Sequence, residues 1–223
     1  PLDTLWVGMS GNQLVANTYV AEPQAQLIEV GGNQGAVRDT ISLVRDTKHI
    51  NVTLREVQDP QDMDVANYDF QITDKNAALL WNNVVDESTP LVYTPYKTWN
   101  SLDRTSAPQR KHGKKRAAEA SVGKIAHVNF MTSRILYHTH AAADAILQIT
   151  HRPTGAVIAK VNLPDMLSRL RVSADIYRYT PQQFLDRGYD YDLSFFLADG
   201  KLKYINISIS ILGWSRRIQV EEL

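Results

Sequence analysis

Apolar positions along this chain recur mostly every second residue, the spacing of strands buried on one face, and only rarely every three or four. In "HINVTLREV", Ile50, Val52 and Leu54 alternate with Asn51, Thr53 and Arg55. In "YDFQITD", Tyr68, Phe70 and Ile72 alternate with Asp69 and Gln71. "HVNFMTSRIL" and "AILQITHRPTGAVIAKVNL" continue the pattern, the second broken by "HRPTG", a Pro-then-Gly turn that predicts a hairpin. Loops are expected at "EVGGNQG", "QDPQD", "DEST" and the polar stretch from about residue 97 to residue 123.

Two short helices are predicted. "LPDMLSRL" holds about two turns with Met166, Leu167 and Leu170 inward. "TPQQFLDRG" has Thr180 and Gln183 spaced for a capping box and Pro181 at the first helical position. Gly188 is placed to end it in a left-handed conformation. Many short strands, turn residues between them and one or two short helices predict an all-β fold, an antiparallel β-sandwich.

The terminal segment "YDLSFFLADGKLKYINISISILGW" sharpens this. Leu193, Phe195 and Leu197 share one strand face, and Ile205, Ile207, Ile209 and Ile211 share another. Directly paired residues project to the same side of a sheet. A plain two-residue turn at Asp199-Gly200 would pair Phe195 with Tyr204 and put the two rows on opposite sides. A connection of three or five residues is therefore expected, so that both rows enter one core. Burying these side chains is worth roughly 1.5–3 kcal/mol each before entropy.

Composition narrows the function. At 223 residues the chain can bury a proper core, and with Lys plus Arg and Asp plus Glu both at 24 it has no global field for nucleic acid or anionic lipid. Cysteine is absent, so thiolate catalysis and Cys-based zinc sites are excluded. No uninterrupted apolar run approaches the roughly 20 residues of a spanning helix. The opening "PLDTLWVGMSG" already reads as folded sequence, the expectation for a chain trimmed at its N-terminus.

No catalytic motif is present, and no cofactor is expected. "GGNQG" (residues 31–35) lacks a Lys and a strand-to-helix setting, so it reads as a loop. His138 and His140 would share one side of an extended segment, but no third ligand accompanies them, and His127 and His151 lie on separate segments. Asp186, Asp190 and Asp192 lack the Gly and bidentate Glu of a calcium loop, and alternation puts Asp190 and Asp192 on a solvent face. The basic run "RKHGKKR" (residues 110–116) has no interleaved aromatics and reads as a solvated loop. Asn51 and Asn206 fit the glycosylation pattern but sit inside predicted strands.

Three stretches then carry a resemblance: "LWVG" (Leu5 to Gly8) with "ISLVRDTKHINVTL"; "YDFQITDKNAALLWNNVV" leading into "LVYTPY"; and "FLDRGYDYDLSFFLADGKLKYINISISILGWSRRIQV". Their order and spacing resemble the FimB-type fimbrial accessory subunits of Bacteroidales, anchor or minor components of donor-strand (type V) pili. The resemblance implies that residues 1–45 end an N-terminal sandwich and that residues 46–223 form a transthyretin-like sandwich. It also implies a non-enzymatic surface subunit that anchors a pilus or regulates its assembly and length, with fimbrial subunits as partners. Its place would be the outer membrane, through an N-terminal lipid anchor that this chain lacks. Joining would proceed by β-strand complementation, an edge strand finding backbone partners and side-chain pockets. Trp214, Ile218 and Val220 are the joining candidates on that implication. The alternative is a glycan-binding sandwich of a surface uptake system, for which Trp81, Tyr96 and Trp99 are candidate platform residues.

Overall fold

The structure, a computed structural model, describes residues 6–8, 19–21, 43–57, 63–80, 82–103, 123–139, 143–171, 178–211 and 214–221. Its strands are β1 (Trp6–Gly8), β2 (Tyr19–Ala21), β3 (Leu43–Arg45), β4 (Lys48–Glu56), β5 (Tyr68–Asp74), β6 (Ala78–Leu80), β7 (Val85–Asp86) and β8 (Leu91–Tyr93). They continue with β9 (Lys97–Leu102), β10 (Lys124–Thr132), β11 (Ile146–His151), β12 (Ala156–Asn162), β13 (Asp190–Ala198), β14 (Lys201–Ile211) and β15 (Trp214–Glu221). The helices are α1 (Leu163–Ser168) and α2 (Pro181–Arg187).

Two sheets make the body of an all-β sandwich. One has six strands in the order β15-β14-β13-β4-β10-β9, and the other four in the order β12-β11-β5-β8. The alternating rows of both sheets, with Met166, Leu167 and Leu170 and with Phe184 and Leu185 of α2, enter one apolar core. Small sheets β1-β6-β7 and β2-β3 accompany it. Pairing is antiparallel except at β4 and β13, which run parallel from Asp190↔His49 to Leu197↔Glu56. The sheet is therefore mixed, because two segments distant in sequence meet at its centre. The stretch expected as loop from residue 97 begins with a strand instead: β9 pairs with β10 from Lys97↔Asn129 to Leu102↔Lys124. Its polar composition suits an edge.

The terminal hairpin puts both apolar rows on one side by a different device from the one expected. Asp199 and Gly200 do form a two-residue turn, both with positive φ (53° and 72°), the geometry whose twist matches paired strands. The register then shifts between Phe196↔Tyr204 and Leu197↔Leu202, leaving Lys203 as a bulge. The odd residue sits in the strand rather than in the loop. Phe195 consequently pairs with Ile205 and Leu193 with Ile207, and all four are buried. Leu197 and Ile209 are buried as well; the side chain of Ile211 lies outside the described ones. Glu56 secures the turn, its Oε2 accepting the Gly200 N–H at 3.2 Å.

The capping box of α2 forms as the spacing predicts, with Thr180 and Gln183 exchanging side-chain and backbone bonds and Pro181 at the first turn. Gly188 does not end the helix in the left-handed region; its backbone is extended, with φ −83° and ψ 137°. Glycine is needed there for space. A Cβ would run into Tyr191 Oη and lie 2.7 Å from Ile209 Cδ1.

Candidate subunit interface at the sheet edge

β15 is the outermost strand of the six-stranded sheet. It pairs with β14 over its whole length, from Tyr204↔Glu221 to Ile211↔Trp214, without a register shift. Trp214 stands opposite Ile211, Ile218 opposite Ile207 and Val220 opposite Ile205. All three therefore occupy register positions of the Ile row, with Arg216 between them opposite Ile209. On its far side β15 has no strand neighbour among the described residues. Among the described residues, the outer row of its backbone donors and acceptors has no strand to pair with.

The other edges are blunter. β8 has 3 residues. β12 is bulged at Ile158, where Ile149↔Ala159 steps to Thr150↔Val157, and carries the exposed Lys160. β9 has 6 residues, with exposed Lys97 and Trp99 along it. Bulges, short length and edge lysines are devices that discourage strand addition. β15, with 8 residues in continuous register, is the longest regular edge among the described residues.

At the end of the sandwich where β3 leads into β4, charges are packed into the interior. Lys48 is 1% exposed, in phase with Ile50, Val52 and Leu54. Its Nζ donates to the Asp186 carbonyl at 3.1 Å and lies 4.9 Å from the Tyr189 ring centroid. Burial brings its pKa down to about 7 against the attraction of Asp186 and Asp46. Asp46 is equally buried, and burial pushes its carboxyl up against the pull of Asn83, Arg134 and Lys48. Arg134 grips Asp186 with two bonds of 2.8 and 2.9 Å and donates to the Asn83 carbonyl at 2.7 Å. Gln182 adds a bond to Asp186 at 2.9 Å. This network ties β4, the β6–β7 turn, the segment after β10 and α2 together. The hint in the sequence was a lysine at an in-phase position of an apolar row.

The residues singled out for chemistry are dispersed. His138 bonds to Asp144 and Glu87, while His127 lies between Thr53 and Ser101 and stacks on Trp99. His151 bonds Thr154. His140, Trp81, "GGNQG" and the basic run 110–116 lie outside the described residues. Asp186 is in the network above. Asp192 is exposed on β13, bonded to Asn51 at 2.9 Å, and Asp190 is half-exposed beside Arg45. Among the described residues no group of His, Asp and Glu is arranged to hold a metal. Trp99 is 37% exposed, but His127 stacks on its ring at 5.0 Å and Lys97 Nζ lies 5.0 Å from its centroid. Tyr96 is half-buried. No open aromatic platform is built from these two.

A sandwich whose last strand is long, regular and open on one side is a module suited to association by backbone pairing. The profile of the fimbrillin-A associated anchor proteins Mfa1 and Mfa2 matches residues 1–220, and the chain belongs to that family. No curated protein matches it. A candidate adhesin from Bacteroides ovatus has 22% identity and a TM-score of 0.62, over 97% of this chain and 65% of its own. A candidate adhesin from Bacteroides thetaiotaomicron has 24% identity and a TM-score of 0.60, over 81% of this chain and 55% of its own. A third structure, candidate polysaccharide-binding proteins from Bacteroides thetaiotaomicron, has 25% identity and a TM-score of 0.54, over 81% of this chain and 54% of its own. The chain thus spans about half to two thirds of the length of these structures. The first two establish the shared fold.

Proposed function

We propose that the chain is the sandwich portion of a non-enzymatic fimbrial accessory subunit, a surface anchor or an assembly- and length-regulating component. It joins fimbrial subunits by β-strand complementation at β15, a strand of the partner pairing with its outer edge, with the segment around Trp214, Ile218 and Val220 as the joining element. Residues 1–45 close an upstream sandwich, residues 46–223 form a transthyretin-like one, and a lipid anchor preceding them holds the protein at the outer membrane. The observation that carries this reading is the unshifted eight-residue edge strand in a member of a fimbria-associated anchor family. Cells lacking the gene should release fimbriae into the medium or make them of altered length, measured by electron microscopy and by the fimbrial content of the supernatant. A copy ending before Trp214 should not restore them. Unchanged fibres in the deletion strain would overturn the reading.

A glycan-binding sandwich is the rival, favoured by the likeness to the candidate polysaccharide-binding proteins at 25% identity. The stacked, lysine-covered Trp99 ring argues against a sugar platform there. The expected result on a glycan array is no signal that Trp99→Ala removes; a specific signal lost with Trp99 would favour the rival.

A further inference from the structure

The β6–β7 hairpin carries β1 on its outer side, from Trp6↔Leu80 to Gly8↔Ala78, so whatever holds the hairpin also holds that N-terminal strand. Two side chains from the segment after β10 reach it. Arg134 donates to the Asn83 carbonyl at 2.7 Å, a tie whose charge is permanent. His138 makes the second tie, and its geometry dictates a protonation state. Its Nδ1 is 2.9 Å from Asp144 Oδ1, and its Nε2 is 2.8 Å from Glu87 Oε2 in the turn after β7.

A neutral imidazole has one N–H, so it can satisfy one of these carboxylates and must turn a lone pair toward the other. Only the imidazolium makes both bonds. Asp144 is fixed on the sandwich side. Its Oδ1 also accepts the His138 backbone N–H at 2.9 Å, and its Oδ2 accepts Asn162, the residue capping α1, at 2.8 Å. The Asp144 side chain is 2% exposed and that of Glu87 is 41% exposed, so Glu87 is the partner that departs when one must. The third carboxyl acting on this histidine is Asp74, at the end of β5 and buried.

We propose that His138 is a proton-operated fastener: as imidazolium it bridges Asp144 of the sandwich to Glu87 of the hairpin, and loss of its proton frees the hairpin end that carries β1. Burial works against the charge, but the bonds to Asp144 and Glu87 outweigh it and raise the pKa of His138 above the ordinary value. Hence the tie is fully made below the ordinary histidine range and is lost as pH rises through the higher folded value. Arg134 keeps the hairpin attached throughout, so the change is a loosening and not a detachment. The inference does not rest on the fimbrial reading.

Hydrogen–deuterium exchange of residues 84–89 at about pH 5.5 and about pH 8.5, corrected with an unfolded control, tests it. Wild type should lose protection about fivefold at the higher pH, the scale of one partly exposed charge-assisted bond. Glu87→Ala and His138→Ala, which cannot form the tie in either protonation state, should be weakly protected at both values, with no difference between them. Asp74→Asn, which leaves both bonds in place, should keep the pH response. Titration of the His138 ring by NMR should give a midpoint above about 6.5. Equal wild-type protection at both pH values, a pH response persisting in Glu87→Ala, or a midpoint at or below the ordinary value would each overturn the proposal.

Discussion

Gly188→Ala should cost about 3 kcal/mol, the upper end of what overpacking a dense core exacts. The added methyl would collide with Tyr191 Oη and sit 2.7 Å from Ile209 Cδ1. Neither neighbour can step aside. Tyr191 is 0% exposed, Ile209 is 1% exposed, and they face each other across the β13–β14 pair. The Tyr191 hydroxyl has no hydrogen-bond partner, so nothing is lost by removing it. Tyr191→Phe alone should therefore be close to neutral, and added to Gly188→Ala it should recover only part of the loss, because the Tyr191 ring Cζ and Ile209 Cδ1 each still lie 2.7 Å from the added methyl. Urea midpoints of the four proteins form the test. A double variant no better than Gly188→Ala would show that the clash is not with the hydroxyl.

Asp74→Asn should have the opposite sign. Burial, aided by Glu87 and Asp144, pushes the Asp74 carboxyl up to about 6 from 3.8. Its Oδ1 accepts the Lys75 N–H at 2.7 Å, which an asparagine oxygen can also do, and its Oδ2 is unpartnered. A carboxyl with a raised folded pKa binds its proton more tightly in the folded state. Stability thus falls as pH rises from the unfolded value through the folded one, and the cost is complete above it. A shift of this size corresponds to about 2–3 kcal/mol. The variant should be more stable than wild type by about that amount at neutral pH, with the difference closing below about pH 4. A gain that did not depend on pH would place its origin elsewhere.

Period-two alternation made the central strands legible from residues alone. β4, β5 and β13 bury Ile50, Val52 and Leu54, then Phe70 and Ile72, then Leu193, Phe195 and Leu197. The α2 start was equally plain, because a capping box is a local bond pattern between two nearby side chains. What stayed hidden depended on segments far apart in sequence. The bulge at Lys203 trades places with a longer turn at no change in face, so alternation could not choose between them. The parallel meeting of β4 with β13 and the position of Gly188 under Tyr191 are tertiary facts. The Lys48 network and the His138 bridge likewise join residues from several elements, with Lys48 bonding Asp186 and His138 bonding Glu87. Polar composition hid β9, since an edge strand is free to carry Lys97, Thr98 and Asn100. The open edge at β15 is of the same kind. Alternation suggested a strand, and only the strand order put it outermost.

The central claim is that β15 is where another fimbrial subunit joins, and the chain's lack of cysteine makes it directly testable. Single cysteines placed in turn at positions 214–221, and at 97–102 of β9 for comparison, can be probed in intact cells bearing fimbriae. The measurement is thiol cross-linking to fimbrial subunits together with labelling by a soluble maleimide. The account predicts subunit adducts and suppressed labelling along β15, and free labelling without adducts along β9. Cysteines along β15 that label freely in assembled fimbriae and yield no adduct would contradict it.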